Sequence, residues 1–171
     1  MTSVDEASWV ELYRTLEKPL YNVVYRWLWD PMESQDVVQE AFLRCWRGRH
    51  GIHTEGFKAF VYRTALNLAA NRRRRKKLWQ FVSLDSLPEE PANVHDGTPA
   101  LSYRVRRAID ELPERLKRVL LLCELAGMSY GEIAAVTGVR EGTVGSRRNR
   151  ALALLRRRLT PQEISSDVDR S

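Results

Sequence analysis

Cysteine is scarce in this chain, with two among 171 residues. Cys45 and Cys123 each lie in an apolar helical pattern, so the sequence predicts two packed small side chains and no disulfide. His50 and His53 follow Cys45 closely, and nitrogen and sulfur ligands suit zinc. A structural zinc site takes four ligands, however, and no fourth soft ligand is nearby. The sequence therefore predicts no metal site.

Catalytic and membrane motifs are also missing. We find no nucleophile beside a base, no glycine-rich phosphate loop and no catalytic pair of carboxylates. These absences argue against an enzyme, and we expect neither a cofactor nor a small-molecule substrate. No apolar run approaches the roughly 20 residues that span a bilayer, and the first residues lack the basic-then-apolar order of a secretion signal. We therefore expect a cytoplasmic protein.

Helical periodicity dominates what is present. No alternating run indicates a strand, so the predicted fold class is all-α. Residues 9–27 have the pattern of an amphipathic helix or helix pair, which Pro19 could kink or break. A second helix is predicted over 34–47 and a third over 54–79, separated by a turn.

A change of composition divides the chain. Residues 81–100 contain prolines and acidic residues without periodicity, which is typical of a flexible linker. We therefore predict two small helical domains, over residues 1–80 and 101–159, and a frayed polar tail over 160–171. The sequence does not determine how the two domains are arranged at rest.

The charge of the chain points to a polyanionic partner. The formal net charge is +6 and the pI is near 9.6. Such a balance favours nucleic acid, because basic side chains neutralise phosphates and release counterions. Six consecutive positive residues, 72–77, concentrate this charge near the end of the third helix. A basic amphipathic helix could instead lie on an anionic membrane surface.

Residues 129–155 have the pattern of a helix-turn-helix. Ser129 and Glu132 are spaced as a capping box at a helix start, and Gly138 can take the positive φ that a tight turn needs. The second helix is predicted to begin near Glu141, with a buried stripe of Val144, Ala151 and Leu155. Its open side carries side chains that can bind base edges or phosphates: Thr143, Ser146, Arg147, Asn149 and Arg150. The alternative is a solvated basic hairpin.

The second and third helices each have an apolar side and a polar side. The polar side of the second helix combines carboxylates, an amide, a leucine and an arginine: Asp36, Gln39, Glu40, Leu43 and Arg47. This surface could dock a basic partner protein, or it could be an ordinary solvated face. On the third helix, a packing stripe (Phe57, Val61, Ala65, Leu68) is flanked by Phe60, Arg63, Asn67, Asn71 and Arg74. Aromatic and amide groups beside a basic block suit opened DNA, because cations bind phosphates while rings stack on bases.

Three segments, in this order, carry a family resemblance: SQDVVQEAFLRCWR, AFVYRTALNLAANRRRR, and the stretch from LPERLKRVLLLCELAGMSY to RNRALALLRRRL. Over residues 9–159 the chain resembles extracytoplasmic-function sigma factors, the compact two-domain class of bacterial transcription initiation subunits. The resemblance implies core RNA polymerase, duplex promoter DNA and a melted non-template strand as partners. It also implies an inhibitory anti-sigma factor, often membrane-bound.

The resemblance also assigns roles to residues. Docking on polymerase falls to the polar side of the second helix, with Asp36, Gln39, Glu40, Leu43 and Arg47. Recognition and melting of the minus-ten element fall to the loop 48–56 and to Phe60, Arg63, Asn67, Asn71, Arg72, Arg73, Arg74 and Arg75. Reading of the minus-thirty-five element falls to Arg140, Thr143, Ser146, Arg147, Asn149 and Arg150.

Three positions differ from the usual family pattern. Phe60 stands where tryptophan is common, which keeps an aromatic ring but loses the indole donor. Gly145 replaces a lysine, removing a phosphate contact and costing about 1 kcal/mol of helix propensity relative to alanine. Arg148 replaces a leucine near the packing stripe, so its stem must extend outward. Two other functions stay open: a helix-turn-helix regulator that acts without polymerase, and a polymerase-binding decoy.

Overall fold

The computed structural model of the chain describes residues 6–48, 54–82 and 99–160. These residues form seven α-helices and no strand, which confirms the predicted all-α class. The helices are α1 (Glu6–Leu28), α2 (Pro31–Arg47), α3 (Thr54–Val82), α4 (Pro99–Asp110), α5 (Glu114–Glu124), α6 (Tyr130–Thr137) and α7 (Glu141–Leu159). The turn predicted at 48–53 (apart from Gly48), most of the predicted linker and the tail after residue 160 lie outside the described residues.

Helix α1 is one continuous helix, although Pro19 lies inside it. Its buried face repeats every three or four residues through Leu16, Leu20, Val23, Val24 and Trp27. The apolar stripe thus continues past the proline, and the helix pair that the sequence left open is not formed. After α1, Trp29 adopts a φ of 57°, a left-handed conformation that is uncommon for a residue other than glycine.

Helix α2 begins three residues before the boundary predicted from the sequence, because Asp30 caps it. The carboxylate of Asp30 accepts a hydrogen bond from the backbone N–H of Glu33 at 3.0 Å. Pro31 occupies the first helical position, where its missing N–H and fixed φ are tolerated. Asp30 and Pro31 therefore start the second helix as well as ending the first.

Helices α1, α2 and α3 pack around an apolar core with an aromatic cluster at one end. The ring centroid of Trp9 lies 5.7 Å from that of Phe42, 5.1 Å from Phe57 and 5.0 Å from Trp46. Cys45 is buried and free in this core, and burial raises the pKa of its thiol to about 11. It therefore behaves as a small hydrophobic side chain.

Helices α4 to α7 contain the helix-turn-helix that the sequence predicts. The capping box is complete at the start of α6: the Ser129 side chain accepts from the Glu132 N–H, and the Glu132 carboxylate accepts from the Ser129 N–H at 2.8 Å. Gly138 ends α6 with a φ of 73°. Of the predicted stripe on α7, Val144 and Ala151 are buried, whereas Leu155 is half-buried against a small cluster around Leu112, Leu116 and Leu120.

The two halves of the chain pack directly against each other. One apolar core runs from α1–α3 into the C-terminal helices, where it includes Val119, Leu122, Met128, Ile133 and Val136. The main contact joins α3 to α6, and α1 also touches α4 and α5. The structure thus shows an arrangement in which the helix-turn-helix half packs against one side of α3.

Candidate nucleic-acid interface

Helix α7 positions the recognition face, which we define as Arg140, Thr143, Ser146, Arg147, Asn149 and Arg150. Burial of Val144 and Ala151 on the opposite side leaves Arg140, Ser146, Asn149 and Arg150 exposed, with Thr143 and Arg147 half-buried. Among the ion pairs between described residues, none involves an arginine of this face. The recognition face is therefore open and cationic, as binding to phosphates and base edges requires.

Gly145 allows an aromatic ring to pack on α7. A Cβ atom at this position would lie 3.3 Å from Cε2 of Tyr130, tighter than most real contacts. Tyr130 remains 39% exposed beside the recognition face. Gly145, which stands where the family commonly has lysine, thus leaves room for the Tyr130 ring. The sequence alone did not indicate this packing role.

Arg148 is held within the C-terminal half. Its Nε and Nη2 atoms lie 2.9 and 2.8 Å from Oε1 of Glu124, at the end of α5. The hydrogen bond to Glu124 also raises the pKa of Arg148 above its ordinary value. The aliphatic stem of Arg148 extends outward, as the sequence predicts, but its guanidinium binds the Glu124 carboxylate of the same half.

The polar side of α2 forms the docking face, defined as Asp36, Gln39, Glu40, Leu43 and Arg47. Four of these side chains are exposed and Glu40 is half-buried, with Leu43 reaching 54% exposure. Glu40 is tied to Arg44 one turn later, with Oε1 and Nη2 2.5 Å apart. Leu43 is the exposed apolar side chain of this face, and its other members are polar or charged.

The minus-ten surface, defined as Phe60, Arg63, Asn67, Asn71, Arg72, Arg73, Arg74 and Arg75, is divided by the fold. Arg72 points to α2, where its Nη2 lies 3.3 Å from Glu40 and its Nη1 lies 3.8 Å from Asp36. It also donates to the Glu33 carbonyl at 3.2 Å. Arg72 is therefore placed beside the docking face, apart from the rest of the minus-ten surface.

Much of the remaining minus-ten surface contacts the C-terminal half. Arg63 donates to the carbonyl oxygens of Val136, at 3.1 Å, and of Ala135. Asn67 accepts a hydrogen bond from Arg118 at 3.0 Å, and Arg74 lies 3.1 Å from Glu114. Phe60, Asn71 and Arg75 are exposed. The structure thus brings these side chains together on one flank of α3, where Arg63, Asn67 and Arg74 contact groups of α5 and α6.

Arg73 enters a charged cluster between the halves. Its Nη1 lies 2.7 Å from Oδ1 of Asp110, and the same oxygen accepts from Lys117 at 2.9 Å and from the indole N–H of Trp29 at 3.1 Å. Burial would raise the pKa of Asp110, but the neighbouring cations hold it below its ordinary value. Lys117 is only 2% exposed, and burial lowers its pKa to about 8 although Asp110 opposes the change.

The acidic residues of this contact were missed by sequence analysis. Besides Asp110 and Glu114, Glu132 of α6 pairs with Lys58 of α3 at 2.7 Å, 74 positions apart in the chain. The hydrogen bond to Lys58 lowers the pKa of Glu132 below its ordinary value. Ion-pair partners so far apart in the chain produce no local sequence pattern. These acidic residues could therefore be identified only once the packing of the two halves was known.

Two further sequence expectations concern metals and membranes. Within the part of the chain that the structure describes, no group of three or more histidine, cysteine or acidic side chains could hold a metal ion. His50 and His53, the residues considered with Cys45, lie outside it. None of the described helices combines the length and apolarity needed to cross a membrane.

Comparisons with known proteins find matches in both halves. The family model for sigma-70 region 2 matches residues 12–78, and that for sigma-70 region 4 matches residues 102–155. The RNA polymerase sigma-H factor of Pseudomonas aeruginosa is 31% identical, over 83% of this chain and 81% of the relative. The sigma-E factor of Escherichia coli is 33% identical, over 74% and 73%. SigE of Mycolicibacterium smegmatis is 32% identical over 87% of this chain, which spans 60% of that longer relative.

Two solved structures share the fold. The sigma factor RpoE of Bartonella quintana, in complex with the anti-sigma factor NepR, gives a TM-score of 0.70 at 22% identity, covering 90% of this chain and 96% of that one. CnrH in complex with the cytosolic domain of CnrY gives 0.66 at 23%, covering 88% and 86%.

The helices and their open cationic face define a two-domain, all-α protein of the helix-turn-helix class. The chain belongs to the sigma-70 family of transcription initiation factors, and within it to the extracytoplasmic-function sigma factors.

Proposed function

We propose that this chain is a non-catalytic specificity subunit that directs core RNA polymerase to promoters with two sequence elements. The observation that carries the proposal is the coexistence of two exposed surfaces of different chemistry. The recognition face of α7 is cationic and free of acidic partners among the described residues, which suits duplex DNA. The docking face of α2 is a mixed surface with an exposed leucine, which suits a protein.

Each surface binds one partner in this proposal. The docking face binds polymerase, and the recognition face reads the minus-thirty-five element in the major groove. The minus-ten surface and the loop 48–56 capture the melted non-template strand, with the Phe60 ring available for stacking on a base. Two DNA-binding domains on one chain raise each other's effective concentration, so promoter spacing must suit both.

Regulation by an anti-sigma factor is part of the proposal. The cationic faces would bind DNA non-specifically if they were free at all times, which favours an inhibitor that covers them. One structural relative, RpoE of Bartonella quintana, was solved in complex with the anti-sigma factor NepR. A cytoplasmic location follows from the same role, since polymerase and promoter are there.

Run-off transcription tests the proposal. Core polymerase plus this chain should produce new start sites from a promoter library at moderate salt. Asp36→Arg should weaken binding to core polymerase about tenfold through charge reversal on the docking face, without changing duplex DNA binding by the C-terminal half. Glu11→Arg, an equal charge change on the exposed side of α1, is the matched control.

The other two functions predict different outcomes of the same assay. A regulator that acts without polymerase would bind duplex DNA but neither co-purify with core enzyme nor create start sites. A decoy would co-purify with core enzyme, lose binding on Asp36→Arg, and still give no transcripts. Either result would refute the proposal.

A further inference from the structure

A groove between α4 and α7 collects basic side chains near the C-terminal end of α7. It has a volume of about 760 Å³ and is lined by Arg104 and Arg107 of α4, Arg157 and Arg158 of α7, and Glu111. All four arginines are exposed. We call this site the arginine groove.

The arginine groove carries more positive charge than its own acidic side chain compensates. Glu111 is shared by Arg107, at 2.8 Å, and Arg158, at 3.5 Å. Arg104 donates to a backbone carbonyl oxygen of α7 at 2.9 Å. No ion pair between residues that the structure describes involves Arg104 or Arg157. Four guanidinium groups beside one carboxylate repel one another, so the groove is suited to an anionic occupant.

Duplex DNA bound at the recognition face does not account for this groove. A helix-turn-helix reads bases with the N-terminal residues of its second helix. Arg157 follows Thr143 by 14 residues, which places it about 21 Å further along the axis of α7. The major groove that Thr143 would enter is only about 12 Å wide. The arginine groove therefore needs a different anion.

The chain itself supplies acidic residues directly after this groove. Thr160, the residue that follows α7, also lines the groove. Residues 161–171, which we call the acidic tail, contain three carboxylates and one cation: Glu163, Asp167, Asp169 and Arg170. Because an extended chain advances about 3.3 Å per residue, Glu163 can reach about 10 Å from Thr160 and Asp167 about 23 Å. Tethering gives such a segment an effective concentration on the order of millimolar, which favours it over free acidic peptides.

We propose that the acidic tail binds in the arginine groove, where its carboxylates pair with the groove's arginines. Arginine and carboxylate form bidentate pairs, which supply both charge compensation and a defined geometry. An occupied groove does not offer its cations to nucleic acid of arbitrary sequence, whereas the recognition face stays open. This contact goes beyond the proposed function, because it needs neither polymerase nor promoter DNA.

The first test variant neutralises the acidic tail. It replaces the three carboxylates with amides of similar size: Glu163→Gln, Asp167→Asn and Asp169→Asn. The matched control makes the same change of net charge at three exposed positions of α1: Glu6→Gln, Glu11→Gln and Glu17→Gln. Any effect of net charge alone is therefore shared by the two variants.

A second variant, Arg104→Gln with Arg157→Gln, removes two cations from the groove. Glutamine at position 104 can still donate to the α7 carbonyl oxygen, and Arg157 has no ion pair with a described residue. We therefore expect the C-terminal half to keep its fold. Combined with the tail variant, this change completes a double-mutant cycle, in which a contact between tail and groove appears as non-additivity.

Amide correlation spectra of the full chain, recorded by nuclear magnetic resonance at low salt, report the contact directly. Neutralising the tail should shift the signals of residues 104–111, which are far from the tail in sequence, and the α1 control should not. A synthetic peptide of residues 161–171, added to the tail variant, should return these signals toward their original positions. Unchanged signals in the tail variant would overturn the proposal. So would a duplex that shifts residues 104–111 equally in the unmodified chain and the tail variant, since DNA would then be the occupant.

Fluorescence anisotropy with a labelled duplex of randomised sequence measures the consequence for nucleic acid. The tail variant should bind about fivefold more tightly than the α1 control, with a steeper salt dependence. In the background of the groove variant, the tail substitutions should have no more effect than the control substitutions. Equal binding by tail variant and control, or an undiminished gain in the groove background, would refute the contact. None of these measurements uses polymerase, so their outcome is separate from that of run-off transcription.

Discussion

Replacing Asp110 by asparagine tests how the fold tolerates the buried amine of Lys117. Lys117 is 2% exposed, and the Asp110 carboxylate 2.9 Å away is the anion that compensates it. Asparagine keeps an oxygen that can accept from the Trp29 indole, so the substitution removes mainly charge. We therefore expect a loss of stability that comes mainly from the two close pairs, with Lys117 and Arg73, because Arg106 is more distant at 4.0 Å.

The magnitude follows from the proton equilibrium of Lys117. A pKa of about 8, against 10.5 for the ordinary amine, means that holding the charged amine costs the fold about 3 kcal/mol at pH 7. If the Lys117 amine were fully neutral in the folded protein at pH 7, the cost in folding free energy would be about 5 kcal/mol. This is the largest penalty that Lys117 can impose at that pH. The Lys117 contribution to the loss therefore cannot exceed about 1 to 2 kcal/mol, and the lost Arg73 pair adds about 1 kcal/mol.

The pH dependence has a definite sign. Because the folded pKa of Lys117 lies below the unfolded value, the unfolded chain binds more protons between about pH 8 and 10.5, and stability rises with pH there. In Asp110→Asn this rise begins at lower pH, since the compensating anion is gone. At pH 9 the amine is neutral in both folded proteins, so the loss should shrink from about 2 kcal/mol at pH 7 to about 1 kcal/mol.

Urea unfolding followed by circular dichroism at pH 7 and pH 9 measures both values. Lys117→Met is the companion variant, because methionine fills similar space without a charge. In the Lys117→Met background, Asp110→Asn should cost only the Arg73 contribution at either pH. An equal loss at pH 7 and pH 9 in the otherwise unmodified chain, or an undiminished loss in the Lys117→Met background, would refute the reasoning.

Two predictions concern α7. Gly145→Lys should raise the free energy of unfolding by about 0.5 kcal/mol and steepen the salt dependence of duplex binding by about one charge, because the half-exposed Tyr130 ring can yield. Lower stability in urea would show that the ring cannot move. Arg150→Ala should cost about 1 to 3 kcal/mol of duplex binding, unequally across a sequence library, whereas Arg148→Ala should not change sequence preference because Glu124 holds Arg148. Equal losses on all sequences would make Arg150 a phosphate contact.

Local patterns predicted most of the secondary structure. The capping box at Ser129, the turn at Gly138 and the α7 stripe depend on residues within one or two turns of each other, so they can be read from sequence spacing. The errors fall at element ends. Helix α2 begins earlier than predicted because Asp30 serves as its cap, and α3 runs to Val82 instead of residue 79.

Partners distant in the chain decided the rest. The helical wheel of α3 places Arg63, Asn67 and Arg74 on one flank, but it cannot show that α5 and α6 supply oxygen acceptors to that flank. It also cannot separate Arg72, which turns to the carboxylates of α2, from Arg73, which turns to Asp110. Successive residues of a helix differ by about 100° in direction, so neighbours in one basic block meet different elements.

The sequence by itself determined the helices, the helix-turn-helix and the family, because periodicity, caps and turn residues act over short distances. Only the tertiary structure decided which basic side chains are available. The recognition face and Arg75 stay open to solvent, while Arg63, Arg73 and Arg74 are already bound. The physical reason is that charges attract across space regardless of their separation along the chain, and packing of the apolar core that joins the two halves sets those distances.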